Sequence, residues 1–172
     1  MGGVPLISPT GGIMEPDIFQ IVEEAITLEL NVAELYLLFH HKFPDDSAFW
    51  WQLALEEKSH AALLRSAGEY LVKTGKFPPE IVPDALDPLV AVNKRLATIL
   101  AEIQERTPSR EEAFRLAIQL EESAGEIHFE TFMKMPPRTT DEELFQILNQ
   151  DDKHHARRLR EYVKGKGIYQ EE

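Results

Sequence analysis

Cysteine does not occur in this chain. Disulfides, thiolate zinc sites, iron–sulfur clusters and rubredoxin-type iron centres are therefore excluded. Any metal has to be held by Asp, Glu and His, which favours iron or manganese over structural zinc. Long hydrophobic runs are also missing; none approaches the roughly 20 residues that span a bilayer. Basic charge is scarce, with 18 Lys and Arg against 30 Asp and Glu and a net charge of −12. That balance argues against unaided binding to nucleic acid or to an anionic membrane. It does not argue against metals, because the carboxylates of a metal site are counted in the sum and the ion is not. The opening MGGVPLISPTGG lacks the basic segment of a secretory leader. From these absences the expectation is a cytoplasmic protein with neither nucleic acid nor membrane among its partners.

What is present suits one domain with one core: 172 residues, of which 43% are hydrophobic. Residues 1–14 are rich in Gly and Pro and read as an N-terminal tail, and 166–172 as a C-terminal one. Between them, over 15–165, apolar residues recur at helical spacing and no strand pattern competes. The first helix is expected from Pro16 to about Lys42. Pro44 interrupts it, and Asp45 or Asp46 can cap a second helix running to about Lys73. Residues 74–88, with four prolines, read as a loop. Asp87-Pro88 then looks like a cap followed by a first-turn proline, opening a shorter helix to about Arg106. Thr107-Pro108 repeats that signal before a helix to about Met135. Thr140 with Glu143 fits a capping box for the last helix, which ends near Gly165. The expected fold class is all-α: four long helices, with a shorter helix in the crossover between the second and third.

An internal repeat runs through these helices. AITLELNVAELY at 25–36 aligns with AIQLEESAGEIH at 117–128, with identities at Ala25/Ala117, Ile26/Ile118, Leu28/Leu120, Glu29/Glu121 and Glu34/Glu126. EEKSH at 56–60 aligns with DDKHH at 151–155. The two offsets, 92 and 95 positions, are nearly equal and suggest a duplicated helical hairpin.

Glu57 and His60 stand three residues apart, and so do Asp152 and His155. That spacing places both side chains on one face of a helix. Each pair falls on an apolar stripe, the first with Trp50, Leu53, Ala54, Ala61 and Leu64, the second with Phe145, Leu148, Ala156 and Leu159. Glu29 and Glu121 fall on the stripes of the other two long helices. Four buried carboxylates without cations would each cost several kcal/mol or would have to be protonated. Neither Lys nor Arg falls on these stripes, and metal ions would remove the cost. One Glu from each of two helices, with an acid-x-x-His motif from each of the other two, is the ligand pattern of carboxylate-bridged di-metal bundles. Trp50, Trp51, Phe39, Phe129 and Phe132 read as core residues. Glu34 and Glu126 read as solvated, as do His40, His41 and His154. His128 takes the place of Tyr36 in the repeat and is a candidate extra ligand or hydrogen-bond partner.

On these residues the chain resembles the ferritin-like superfamily, on its rubrerythrin-related side, over roughly 15–165. The resemblance implies a four-helix bundle with Glu29, Glu57, His60, Glu121, Asp152 and His155 as ligands to two iron ions, with manganese or zinc as substitutes. Glu57 and its counterpart would bridge the metals, and Tyr36 would stand beside them as the candidate catalytic residue. The implied activity is that of a di-iron oxidoreductase reducing O₂ or hydrogen peroxide, supplied by an unidentified electron donor and assembled as a homo-oligomer, a dimer first. The alternatives are ferroxidase or other iron handling, and a non-enzymatic bundle whose metal site has decayed. This sequence departs from the family in three ways. Asp152 is one methylene shorter than the family's Glu, Ala124 stands where rubrerythrins carry an extra Glu, and a rubredoxin domain is absent.

Overall fold

The computed structural model describes residues 18–75, 77, 86–122, 134–140, 142–143, 146 and 155–168. The described residues form helices joined by turns and loops, and they contain no strand. Helix α1 spans Ile18–Lys42, α2 Ser47–Ala67, α3 Leu86–Glu105, α4 Arg110–Glu121 and α5 His155–Lys166. Helices α1 and α2 form a tightly packed hairpin, α3 lies against α1, and α4 packs against α5. No helix among the described residues is long and apolar enough to cross a membrane.

The apolar stripes read from the sequence are the faces that become buried. On α1 these are Val22, Ala25, Ile26, Val32 and Ala33, and on α2 Trp50, Leu53, Ala54, Ala61 and Leu64. Trp50 is the centre of an aromatic cluster. Its ring lies 4.4 Å from Phe114, 5.0 Å from Phe39, 5.6 Å from Tyr36 and 5.8 Å from Phe49, centroid to centroid. Trp51, expected in the core, is instead 45% exposed, because the next residue on a helix turns about 100° away. His40, expected in solvent, is half-buried; its Nδ1 lies 2.9 Å from the Ser47 hydroxyl and its ring 5.2 Å from that of Trp51.

Helix ends show where local signals yield to tertiary ones. Asp46 occupies the N-cap position of α2, yet its carboxylate makes no capping hydrogen bond. It accepts two bonds from Arg110, at 2.7 Å each, and one from the Tyr162 hydroxyl at 2.9 Å. The α1–α2 turn is thereby tied to α4 and α5. Helix α4 is capped by Ser109, two residues beyond the expected Thr107: Glu112 N–H donates to Ser109 Oγ at 3.1 Å and Ser109 N–H donates to the Glu112 carboxylate at 2.7 Å. The last capping hydroxyl is Thr139, one residue before the expected Thr140, with Glu142 N–H donating to it at 3.1 Å. Helix α3 opens at Leu86, so Asp87 and Pro88 lie in its first turn.

The second helix continues past Ala67 as a turn of π-helix over Gly68–Val72. Gly68 sits against α1: a Cβ there would lie 2.9 Å from Val22 Cγ1, closer than packed carbons approach. Helix α3 is held to α1 partly by a polar contact. The amide of Asn93 donates to the Glu24 carbonyl and carboxylate at 2.9 and 2.7 Å and accepts from Asn31 at 3.3 Å.

The Asp46 clamp should be asymmetric in urea denaturation. Arg110→Ala strands a carboxylate that is 1% exposed and should cost about 3 kcal/mol. Asp46→Ala leaves an arginine that can reach water and should cost about 1–2 kcal/mol.

Candidate metal centre

Helices α1, α2, α4 and α5 each contribute to one buried cluster. Glu29, Glu57, His60, Glu121 and His155 are all 7% exposed or less. They form two triads that share Glu57: Glu29, Glu57 and His60 on one side, and Glu57, Glu121 and His155 on the other, with donor atoms in each lying within 4.8 Å of one another. Among the described residues, neither a lysine nor an arginine pairs with Glu29, Glu57 or Glu121.

The two oxygens of Glu57 face different histidines. Oε2 lies 3.2 Å from His60 Nδ1, and Oε1 lies 2.7 Å from His155 Nδ1. His60 Nδ1 is also 3.5 Å from Glu29 Oε2, and His155 Nδ1 is 3.4 Å from Glu121 Oε2. The two imidazoles stack with their centroids 5.4 Å apart. Glu57 Oε1 stands within hydrogen-bond distance of His155 without hydrogen-bond alignment, and both it and Glu29 Oε2 are buried with no hydrogen-bond partner among the described residues. Buried polar atoms are rarely left in that state. Ligands at 2.0–2.2 Å from one ion lie about 3 Å from each other, which is the spacing of these atoms. The donor set therefore fits a metal ion in each triad.

Protonation shows what burial costs without metal. Burial, then the neighbouring Glu57 charge, pushes Glu29 to about 8, against the opposing pull of His60. Burial and Glu57 likewise raise Glu121. Glu57 is buried too, but the charges and hydrogen bonds of His155 and His60 outweigh that and hold it well below the carboxylate range. Burial lowers His155, and the charges of Glu57 and Glu121 more than reverse it. Without metal the cluster holds Glu57 as an anion beside a histidine whose charged form is favoured, with Glu29 protonated up to about 8 and Glu121 pushed in the same direction.

Tyr36 lies where the sequence places it. It is fully buried, and its hydroxyl donates a short hydrogen bond to Glu121 Oε1. Glu34 and His41 are exposed. Asp152, His128, Glu126, His154, Phe129, Phe132, Phe145, Leu148 and Ala124 lie outside the described residues. One participant was missed from sequence. Glu56 Oε2 stands 3.0 Å from His155 Nε2, the ring nitrogen turned away from the triad, and takes Arg158 Nη1 at 2.5 Å. Burial would raise the Glu56 carboxyl, but His155 and Arg158 outweigh it and hold it at about 2. It is thus an anion paired with the imidazole at ion-pair distance, without hydrogen-bond alignment to Nε2. Its signal was in the repeat: an acid precedes the ligand acid in both EEKSH and DDKHH.

The metal-free chain should lose stability as the medium becomes alkaline. Glu29 keeps a proton up to about 8 that the unfolded chain releases near 4.5, so its contribution falls as pH rises between those values. His155, raised on folding, acts in the same direction: its contribution is full below its unfolded pKa of 6.5 and is lost as pH rises through the folded value. Metal displaces those protons, so affinity should rise over the same window. Thermal unfolding from about pH 6 to about pH 8, with chelator and with added metal, checks both signs.

No family model matches this chain, and neither a curated protein nor a solved structure matches it. What the centre does has to follow from its own geometry.

Proposed function

We propose that the chain is a ferritin-like, rubrerythrin-related four-helix bundle that holds two metal ions, iron in the first instance, and reduces O₂ or hydrogen peroxide by two electrons. The observation that carries this reading is Glu57, whose two oxygens each face a different histidine within a different triad. A carboxylate so placed would lie between two ions if both triads were filled. Glu29 and His60 would complete one ion's ligands, and Glu121 and His155 the other's, with Asp152 as the sixth residue of the sequence pattern. Two iron ions held there supply one electron each.

The chain's own residues do the rest. The aromatic and aliphatic wall around Trp50 excludes water, so opposite charges attract more strongly inside than they would in water. Glu56 and Arg158 fix the His155 ring with Nδ1 turned inward. Tyr36 holds Glu121 Oε1 by its hydroxyl and leaves Oε2 for the ion. Donors of oxygen and nitrogen alone, from Glu, His and Asp, suit iron and manganese.

Protein loaded anaerobically with Fe(II) should bind close to two ions per chain, about 3.5–4 Å apart. It should then oxidise on addition of peroxide. Glu57→Ala should bind at most one ion and fail to oxidise, with its helix content unchanged by circular dichroism. Parental stoichiometry in Glu57→Ala, or loaded parent that never oxidises, removes the reading. Glu56→Ala should keep two sites while weakening metal binding by about 10- to 100-fold, measured by competition with a chelator.

A further inference from the structure

We infer that Tyr36, Trp50 and Tyr162 form a relay that carries single electrons from the surface to the candidate metal centre. This rests on the redox reading of that centre. Tyr36 touches the ligand Glu121 through its hydroxyl, and its ring lies 5.6 Å from Trp50. From Trp50 the contacts run to Phe114 at 4.4 Å and Phe49 at 5.8 Å. Both of those rings reach Tyr162, Phe49 in a stacked pair at 3.9 Å and Phe114 at 5.6 Å. Tyr162 is half-buried and has the exposed Lys166 ammonium 5.6 Å from its ring centre. Tyrosine and tryptophan are the aromatic side chains that give up an electron most readily, and phenylalanine does not. The relay therefore has three stations, with one layer of phenylalanine between the second and third.

Two details separate this path from ordinary aromatic packing. At the outer end, the Tyr162 hydroxyl donates to Asp46 Oδ1 at 2.9 Å. A phenol that loses an electron must shed its proton, and Asp46 is placed to take it and hand it back. In the middle, Trp50 Nε1 is fully buried and has no hydrogen-bond partner among the described residues. With no proton acceptor at Nε1 among the described residues, an oxidised Trp50 is not held there by deprotonation and passes its vacancy on. Trp50 is thus a transit point and Tyr162 the place where an electron is taken up.

The cycle balances. Hydrogen peroxide takes two electrons and two protons and leaves as two waters, the two protons being replaced in the medium by the one that each donor molecule releases as it gives up its electron. Each electron is drawn inward through Tyr36 and Trp50, leaving Tyr162 as a neutral phenoxyl with its proton on Asp46. An external one-electron donor of the ascorbate class returns the electron, and Asp46 returns the proton. The exposed Lys166 ammonium beside this end favours an anionic donor there on a chain whose net charge is −12.

The absence of cysteine makes the relay directly testable, because Lys166→Cys provides a unique attachment point for a ruthenium polypyridyl photo-oxidant. Flash oxidation of labelled, metal-free protein should place part of the phenoxyl electron paramagnetic resonance signal on Tyr36, identified as the part lost in Tyr36→Phe. Trp50→Phe should reduce that part by an order of magnitude, and Trp51→Phe should leave it unchanged. In iron-loaded protein the same flash should oxidise ferrous iron, again an order of magnitude more slowly in Trp50→Phe. A Tyr36→Phe spectrum identical to the parent's, or parental transfer in a Trp50→Phe protein folded by circular dichroism, overturns the relay whether or not iron binds. Failure of the chain to bind iron overturns the functional reading while leaving the metal-free measurement to judge the relay.

Discussion

Glu57 is fully buried, and its neighbours within 4.8 Å are two more buried acids and two imidazoles. An isolated carboxylate in such surroundings would cost several kcal/mol after relaxation, and three together would repel one another as well. The remainder of the structure can be read as a response. His60 and His155 stack across Glu57, Tyr36 ties down Glu121, and Glu56 with Arg158 braces His155 from behind. Even so, burial and the Glu57 charge push Glu29 up to about 8 and raise Glu121 as well. Cations delivered from solution would let both ionise, and each of the two triads could hold one.

The scaffold is stiff where the cluster needs it. Side chains on four different helices have to meet within a few ångströms, so small shifts between helices would separate the triads. Asp46 binds α4 through Arg110 and α5 through Tyr162, and it sits at the turn joining α1 and α2. All four contributing helices are thereby tied at one end. Trp50 lies between that tie and the candidate metal centre, touching Tyr36 on one side and Phe114 on the other. The same aromatic layer excludes water from the ligands and places oxidisable rings between them and the surface.

The all-helical architecture was legible because periodicity is a local property. The stripes carrying Glu29, Glu57, His60 and Glu121 needed only a helical wheel, and the two repeats pointed to equivalent residues in two hairpins. Caps were read less well. Ser109-x-x-Glu112 was a complete capping box in the sequence, yet the proline of Thr107-Pro108 was the louder signal. Asp46 looked like a cap and stands at the cap position, but a guanidinium and a phenol make stronger claims on its carboxylate than one backbone N–H does. His40 and Trp51 exchanged expected environments, because a wheel for each helix alone does not say where the partner helix lies.

By itself the sequence determined the donor types, their three-residue spacing and the faces on which they stand, since these depend on covalent order and the 3.6-residue turn. It also excluded every thiolate chemistry. Only the tertiary structure decided that Glu57 points one oxygen at each histidine, that His155 turns Nδ1 inward and Nε2 to Glu56, and that Tyr36 reaches Glu121 across 85 residues of chain. Those are relations between helices, set by how their side chains interlock, and residue order along one helix carries no record of the distance to another.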